Sequence, residues 1–220
     1  MYDPKRLVAQ GYDIIADRYT GWAQQVRAEE RARYTQLLCA PLPAQATIVE
    51  LGCGAGLPTT RTLAQHFRVI GVEISAPQLA RAQRHVPTAT FIHADMTCLT
   101  FPRACCDAVV ACYVLMHVPR EEYAALFRAI ASWVRPGGWF LATLGRGHLA
   151  AGLEPNWLGV PMYWRSFDKG TSFHLLRDAG FAVVHACEET ADEEGGPVTF
   201  LWVLARKDAQ GALERGSHGV

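Results

Sequence analysis

The chain has no excess of either charge: 21 Lys and Arg stand against 21 Asp and Glu, a formal net charge of +0 over 220 residues. A nucleic-acid-binding surface is ordinarily a basic excess or a cluster of Lys and Arg on one face, and neither is present. No apolar run has transmembrane length, and no N-terminal apolar segment reads as a signal. Seven cysteines occur, but the number is odd and no pair has the Cys-x-x-Cys spacing of a zinc or redox site; Cys105 and Cys106 are adjacent. These absences point to reduced thiols in core positions, a cytoplasmic location, no metal centre, and no nucleic-acid or membrane partner. Internal repeats and low-complexity segments are also missing, and the length suits one domain with a sizeable core.

What is present centres on Ile48-Val49-Glu50-Leu51-Gly52-Cys53-Gly54-Ala55-Gly56-Leu57-Pro58. Apolar β-formers run into an acid, then into three glycines at alternate positions, and Pro58 opens a Thr-rich helix. Glycines here let the backbone turn sharply and let a ligand approach main-chain atoms, and the free N–H groups of the helix start suit a polar or anionic group. On its own the pattern also fits a purely structural β-to-α turn. Arg68-Val69-Ile70-Gly71-Val72-Glu73 is a second short strand ending in a carboxylate, 21 positions after Gly52. In a βαβ unit that spacing sets Glu73 at the tip of the neighbouring strand, where it can accept from both hydroxyls of a ribose. A nucleoside-containing cofactor is thereby favoured over an empty turn.

Residues 4–38 read as two helices, the first either packed on the sheet edge or lying as a lid over a site. The second, over residues 24–39, carries Arg27, Glu29, Glu30, Arg31 and Arg33, which read as a solvated face. Strands are expected over residues 47–51, 68–72, 90–93, 107–112 and 138–143, with helices over 58–66, 76–84 and 121–133. Short apolar strands alternating with helices predict a parallel sheet covered on both faces. A helix over 171–179 precedes two strands, 181–187 and 198–205, joined by an acidic, Gly-rich connection and pairing as an antiparallel hairpin. The expected fold is an α/β Rossmann-like, doubly wound sheet of seven strands, mostly parallel, with an antiparallel C-terminal strand and helices on both faces. Residues 144–169 form a long connection rich in aromatics, and 208–220 read as a frayed tail.

Taken together, these motifs resemble those of the class I S-adenosylmethionine-dependent methyltransferases, in particular the small-molecule, methyltransferase-domain type. The resemblance rests on Val49 to Gly56, Val72-Glu73-Ile74-Ser75, Ala94-Asp95-Met96, the strand at Asp107-Ala108-Val109-Val110, and Val134-Arg135-Pro136-Gly137-Gly138. It implies a single domain over residues 1–207, with a helical lid (1–40) and a substrate cap (144–169), and S-adenosyl-L-methionine as cofactor. It further implies that Glu50, Gly52, Cys53, Gly54 and Gly56 line the methionine end, that Glu73 binds the ribose, that Ile74 packs on the adenine, and that Asp95 with the Met96 amide reads the adenine edge. Tyr12, Tyr19, Gln78, Cys112, Tyr113 and His117 complete the set of cofactor-binding candidates. Asp95 equally suits a turn or helix cap.

His117, after the fourth strand, is the first candidate for a general base, the alternative being a bond to a loop carbonyl. Tyr19, Tyr163 and His148 are the other catalytic candidates. The aromatics of 144–169, including Trp157, Tyr163 and Trp164, either wall an apolar acceptor pocket or simply pack beneath a loop. The expected activity is in-line transfer of a methyl group to N, O or S of a small molecule, by a monomer or homodimer. A protein acceptor and a non-catalytic cofactor-binding module are the alternatives. A nicotinamide enzyme is disfavoured, because its Gly-x-Gly-x-x-Gly fingerprint and second mononucleotide half are missing.

Overall fold

The structure is a computed structural model describing residues 3–193 and 195–209. It opens on three helices, α1 (Pro4–Ile14), α2 (Ala16–Gln25) and α3 (Ala28–Cys39), where the sequence suggested two. Asp3 caps α1 by accepting from the Lys5 and Arg6 N–H groups. Ile15 leaves helical geometry (φ −93°, ψ 11°) and divides α1 from α2, and Arg27, at φ 57°, turns the chain into α3.

The alternating region follows as β1 (Thr47–Leu51), α4 (Thr59–Ala64), β2 (Arg68–Glu73), α5 (Ala76–His85), β3 (Thr90–His93), β4 (Cys106–Ala111), α6 (Arg120–Trp133) and β5 (Val134–Gly145). Next come β6 (Leu149–Trp157), β7 (Val160–Ser166), α7 (Lys169–Asp178), β8 (Phe181–Glu193) and β9 (Gly196–Lys207). Seven strands make one sheet in the order β3-β2-β1-β4-β5-β9-β8. Its pairs are parallel except β5–β9 and β8–β9, so β9 alone runs against the rest. Ile48, Val49, Val109, Val110 and Leu141 are fully buried because helices cover both faces. One face packs Phe127, Ile130 and Trp133 of α6 with Phe140 and Phe181. On the other, Tyr34 and Leu38 of α3 pack with Leu141 and Trp202, Tyr34 stacking on Trp202 at 4.3 Å. From β1 the chain crosses one way to β2, and β4 lies on the other side, so the strand order reverses there. A crevice opens beyond the C-terminal ends of β1 and β4, where open α/β sheets take their ligands.

Two stretches expected to be irregular are ordered strands. Residues 144–169 hold the β6–β7 hairpin, which turns on Leu158 (φ 47°) and Gly159 (φ 88°). Two positive φ values in succession give the turn whose twist matches a hairpin, and Gly159 adopts its conformation without steric cost. Val8, Tyr12 and Ile15 of the N-terminal helices pack on Val160, Met162 and Tyr163 of this hairpin, so the two segments share one apolar cluster. The acidic connection between β8 and β9 is likewise drawn into the sheet, with pairing that continues to Glu193 and Gly196.

The reason is charge. Arg27, Glu30 and Arg31 of the supposedly solvated face are buried. Arg27 donates to Glu30 at 3.0 Å and to Glu193 at 2.5 Å, and Arg33 pairs with Glu189 at 2.5 Å. Glu30 also accepts from Tyr113 Oη at 2.9 Å and Trp202 Nε1 at 3.2 Å. The acidic residues of the hairpin are thus the partners of the α3 arginines. The expected tail lies, from residue 210 onward, outside the described residues. Among the described residues no helix is long and apolar enough to cross a membrane.

Arg27→Ala leaves Glu30 and Glu193 without their shared cation, and breaking a buried pair of this kind costs about 3–5 kcal/mol. Thermal unfolding of that variant is expected to show a midpoint lowered by roughly 10 °C. Arg33, with its side chain 57% exposed, should cost less than about 1 kcal/mol when replaced by Ala.

Candidate active site

Each motif residue is brought to the crevice by the end of a strand. Gly52 follows β1 at φ 68°, and a Cβ built there would fall 2.3 Å from Cγ2 of Val114, in the loop after β4. Only glycine lets these two loops touch. The Gly54 N–H donates to Glu73 Oε2 at 2.9 Å, while Ile74 N–H and Ser75 N–H donate to Oε1 at 3.0 and 2.9 Å. Burial raises the Glu73 pKa, and the three amides act against that rise. A carboxylate has about four lone-pair sites, so Glu73 retains accepting capacity toward a ligand.

Three cavities meet here. The first is lined by Gly52, Glu73, Ile74, Asp95, Met96 and His117 among others. The second shares Tyr19, Gly52 and Gly54 with it and adds Glu50, Cys53, Cys112 and Arg31. Tyr12, Tyr19 and Tyr113 also border a third, which has Trp22, Trp157, Trp164 and Phe200 as further walls. It is a box of aromatic rings that shares these three walls with the first cavity.

In the second cavity the Glu50 carboxyl is pushed up to about 7, chiefly by burial, against a 2.6 Å bond from the Thr60 hydroxyl. Arg31 stacks its guanidinium over the Tyr113 ring at 4.4 Å and donates to the Ala23 and Val26 carbonyls. It makes no salt bridge among the described residues, so a buried cation stands ready for an anionic group. Sequence reasoning missed Arg31, since one arginine in a charged helix carries no signal until the helix is seen to face the crevice.

Asp95 serves the turn and the pocket together. Its Oδ1 accepts from the Thr97 N–H and hydroxyl, and its Oδ2 pairs with Lys5 Nζ at 2.9 Å. Burial would raise its pKa, but Lys5 and Thr97 outweigh that and hold it below the usual range. Lys5 also bonds Glu122 at 2.9 Å, so α1 is pinned across the rim of the first cavity.

His117 is buried with both ring nitrogens engaged: Nδ1 lies 2.8 Å from the Tyr163 carbonyl and Nε2 2.9 Å from Tyr12 Oη. A carbonyl only accepts, so Nδ1 carries the proton and Nε2 accepts from the Tyr12 hydroxyl. Burial lowers its pKa to about 4, against the bond to Tyr163, which raises it. The imidazole is neutral and bonds a strand carbonyl, that of Tyr163 in β7, where a loop carbonyl was the expected alternative to general base.

Of the other candidates, Tyr163 meets the site through its carbonyl, its ring belonging to the apolar cluster beneath α1. His148 is exposed beside Arg120 and lines none of the three cavities, because the hairpin start carries it to the surface. Gln78 is buried at the start of α5, bonded to the Ala16 carbonyl, and Gly56 packs against Ala82; neither lines one of these three cavities. The remaining cofactor candidates border the first or second cavity.

Sheet, switch point and the carboxylate at the tip of β2 define a doubly wound α/β protein. Comparison with known proteins narrows this. Residues 48–138 match the family model described as a methyltransferase domain. Trans-aconitate 2-methyltransferase of Azoarcus sp. is 35% identical over 115 residues, which are 50% of this chain and 44% of that protein. The chain spans about half the length of the curated relatives it matches. An S-adenosylmethionine-dependent methyltransferase from Mesorhizobium loti is 26% identical, with a TM-score of 0.63 over 78% of this chain and 96% of that one. Magnesium protoporphyrin IX methyltransferase from Synechocystis, solved with bound S-adenosylhomocysteine, shares the fold at 20% identity, with a TM-score of 0.74 over 94% of this chain and 100% of that one. Residues 48–138 are thus similar to a methyltransferase domain, and the fold is shared with S-adenosylmethionine-dependent methyltransferases.

The His117 environment has a consequence for stability. An exposed histidine titrates near 6.5 and the buried one near 4, so the unfolded chain takes up the proton first as pH falls. The contribution of neutral His117 is complete above pH 6.5 and is lost toward pH 4, a penalty of about 3 kcal/mol at the acid end. Glu50 acts oppositely, its share being lost as pH rises through about 7, but it is common to both proteins compared. Thermal unfolding of wild type and His117→Asn should therefore give midpoints that converge between neutral pH and about pH 5. A constant gap would contradict the assignment.

Proposed function

We propose that this chain catalyses transfer of the methyl group of S-adenosylmethionine to a nucleophilic atom of a small molecule held in the aromatic box. The observation that carries this is the shared border: Tyr12, Tyr19 and Tyr113 line both the cofactor-type cavity and the box. S-adenosylmethionine supplies a methyl group already activated by a positive sulfur. The work left to the protein is alignment and exclusion of water.

Glu73 accepts from the ribose hydroxyls, Ile74 and Met96 pack on the adenine, and Asp95 takes its exocyclic amine, with Lys5 holding α1 over that end. Arg31 meets the methionine carboxylate from the second cavity, beside Glu50 and the Gly52 to Gly54 backbone. The fit is supported by the cradle at Gly52 and by the unpaired buried guanidinium of Arg31. Tyr19 borders all three cavities and separates cofactor from acceptor.

Calorimetric titration with S-adenosylmethionine tests this reading. Wild type should bind in the micromolar range, and Glu73→Gln and Asp95→Ala should each lose about tenfold or more. Arg31→Met should weaken S-adenosylhomocysteine by about tenfold while leaving 5′-methylthioadenosine, which lacks the carboxylate, unaffected. No binding by folded wild type would refute the proposal.

A further inference from the structure

The aromatic box offers rings and almost no charge. Among the described residues Glu193 is its one ionic lining residue, and that carboxylate already accepts from Arg27 Nε at 2.5 Å. A carboxylate or phosphate on the acceptor would find no cation among the lining residues and would be buried unpaired.

Nor does the box offer a free base. His117, 4.5 Å from the Trp164 ring, has both nitrogens in use, one donating to the Tyr163 carbonyl and one accepting from Tyr12. Tyr12 and Tyr19 are buried phenols, whose environment favours the protonated form. An ammonium or a phenol would keep its proton here, and a protonated amine has no lone pair with which to attack a methyl group. The nucleophilic atom has to arrive bare and uncharged.

A residue of the box wall, Trp164, also keeps a donor unspent. The indole N–H of Trp164 is buried with no hydrogen-bond partner, and an indole N–H can only donate. An acceptor atom on the ligand would relieve that cost. The walls around it are flat: Tyr19 stacks on Trp22 at 5.8 Å, and Trp157 stands edge-on to Trp22 and Trp164. Ring faces and edges in this arrangement suit another planar ring.

We propose that the acceptor is an uncharged, planar nitrogen heteroaromatic, methylated on a ring nitrogen and oriented by a hydrogen bond from Trp164 Nε1 to a second acceptor atom. This rests on the methyl-transfer reading given above. The lone pair of the ring nitrogen forms the new N–C bond, and the methyl–sulfur bond breaks with its electron pair passing to sulfur. The positive charge moves from sulfur to the methylated ring, and no proton is released. A site without a free base is sufficient for that step, and the aromatic faces stabilise the cation it produces.

The test uses the full chain and 1,6-naphthyridine, which is planar, has two ring nitrogens and is largely uncharged at neutral pH. S-adenosylhomocysteine is titrated first, then the loaded protein is titrated with naphthyridine, phenethylamine or tricarballylate. Naphthyridine is expected to bind at least about tenfold more tightly than either charged probe, and Trp164→Phe to weaken it about fivefold with S-adenosylhomocysteine affinity unchanged. With S-adenosylmethionine, a singly methylated cation should form in weakly buffered solution without acidification. Four results would each overturn the proposal: a charged probe binding as well or better, no naphthyridine binding to loaded protein, unchanged affinity in Trp164→Phe, or one proton released per methyl. Failure of S-adenosylhomocysteine to bind refutes the methyl-transfer reading itself, and is seen before any acceptor is added.

Discussion

The site depends on the buried carboxylate of Glu73 and the three backbone N–H groups that hold it. A carboxylate removed from water is costly unless hydrogen-bonded, and here the donors come from two segments: Gly54 in the glycine loop, and Ile74 and Ser75 after β2. The bond from Gly54 ties that loop to the tip of β2 and fixes the orientation of the carboxylate. Ser75, which follows, accepts from the Gln78 N–H at the start of α5 and donates to Asp13 of α1. One buried charge thereby organises the loop, the next helix and the N-terminal cover. Glu73 also lines the first cavity, in which the proposed ribose would lie.

A second buried network sets the far wall. Arg27 joins Glu30 to Glu193, and Glu30 takes the Tyr113 hydroxyl, so the β8–β9 hairpin, α3 and the loop after β4 are held by one set of charges. Tyr113 sits at φ 55°, a left-handed conformation that few non-glycine residues adopt, and the bond to Glu30 accompanies that placement. Arg31, one residue along the same helix, stacks on the Tyr113 ring and keeps its charge for the cavity. The walls of the second and third cavities are consequently joined through α3.

The parts legible in the sequence were those in which local chemistry and fold agree. Alternating apolar strands and helices, the alternate glycines, and the 21-residue step from Gly52 to Glu73 belong to single βαβ units and do not depend on distant partners. The seven-stranded sheet with β9 reversed followed from them. Hidden features were those decided by long-range pairing. The charges of α3 read as solvated because their partners, Glu189 and Glu193, lie more than 150 residues away. That same pairing converts the acidic connection into strand. The hairpin β6–β7 was obscured by its aromatics, which signal burial without periodicity, and only the Leu158-Gly159 turn marks it. His148 was chosen for its place after the fifth strand, but the chain turns outward there.

The central claim is that Glu73, held by its three amides, still binds a ribose through its remaining lone pairs. The most direct measurement compares the affinity of wild-type protein for S-adenosylhomocysteine with that for its 2′-deoxyribose analogue. A hydrogen bond to a buried carboxylate is worth about 1.5–3 kcal/mol, so the analogue should bind about tenfold or more weakly. Equal affinities would mean that the carboxylate serves only the backbone, and the nucleoside site would have to be placed elsewhere.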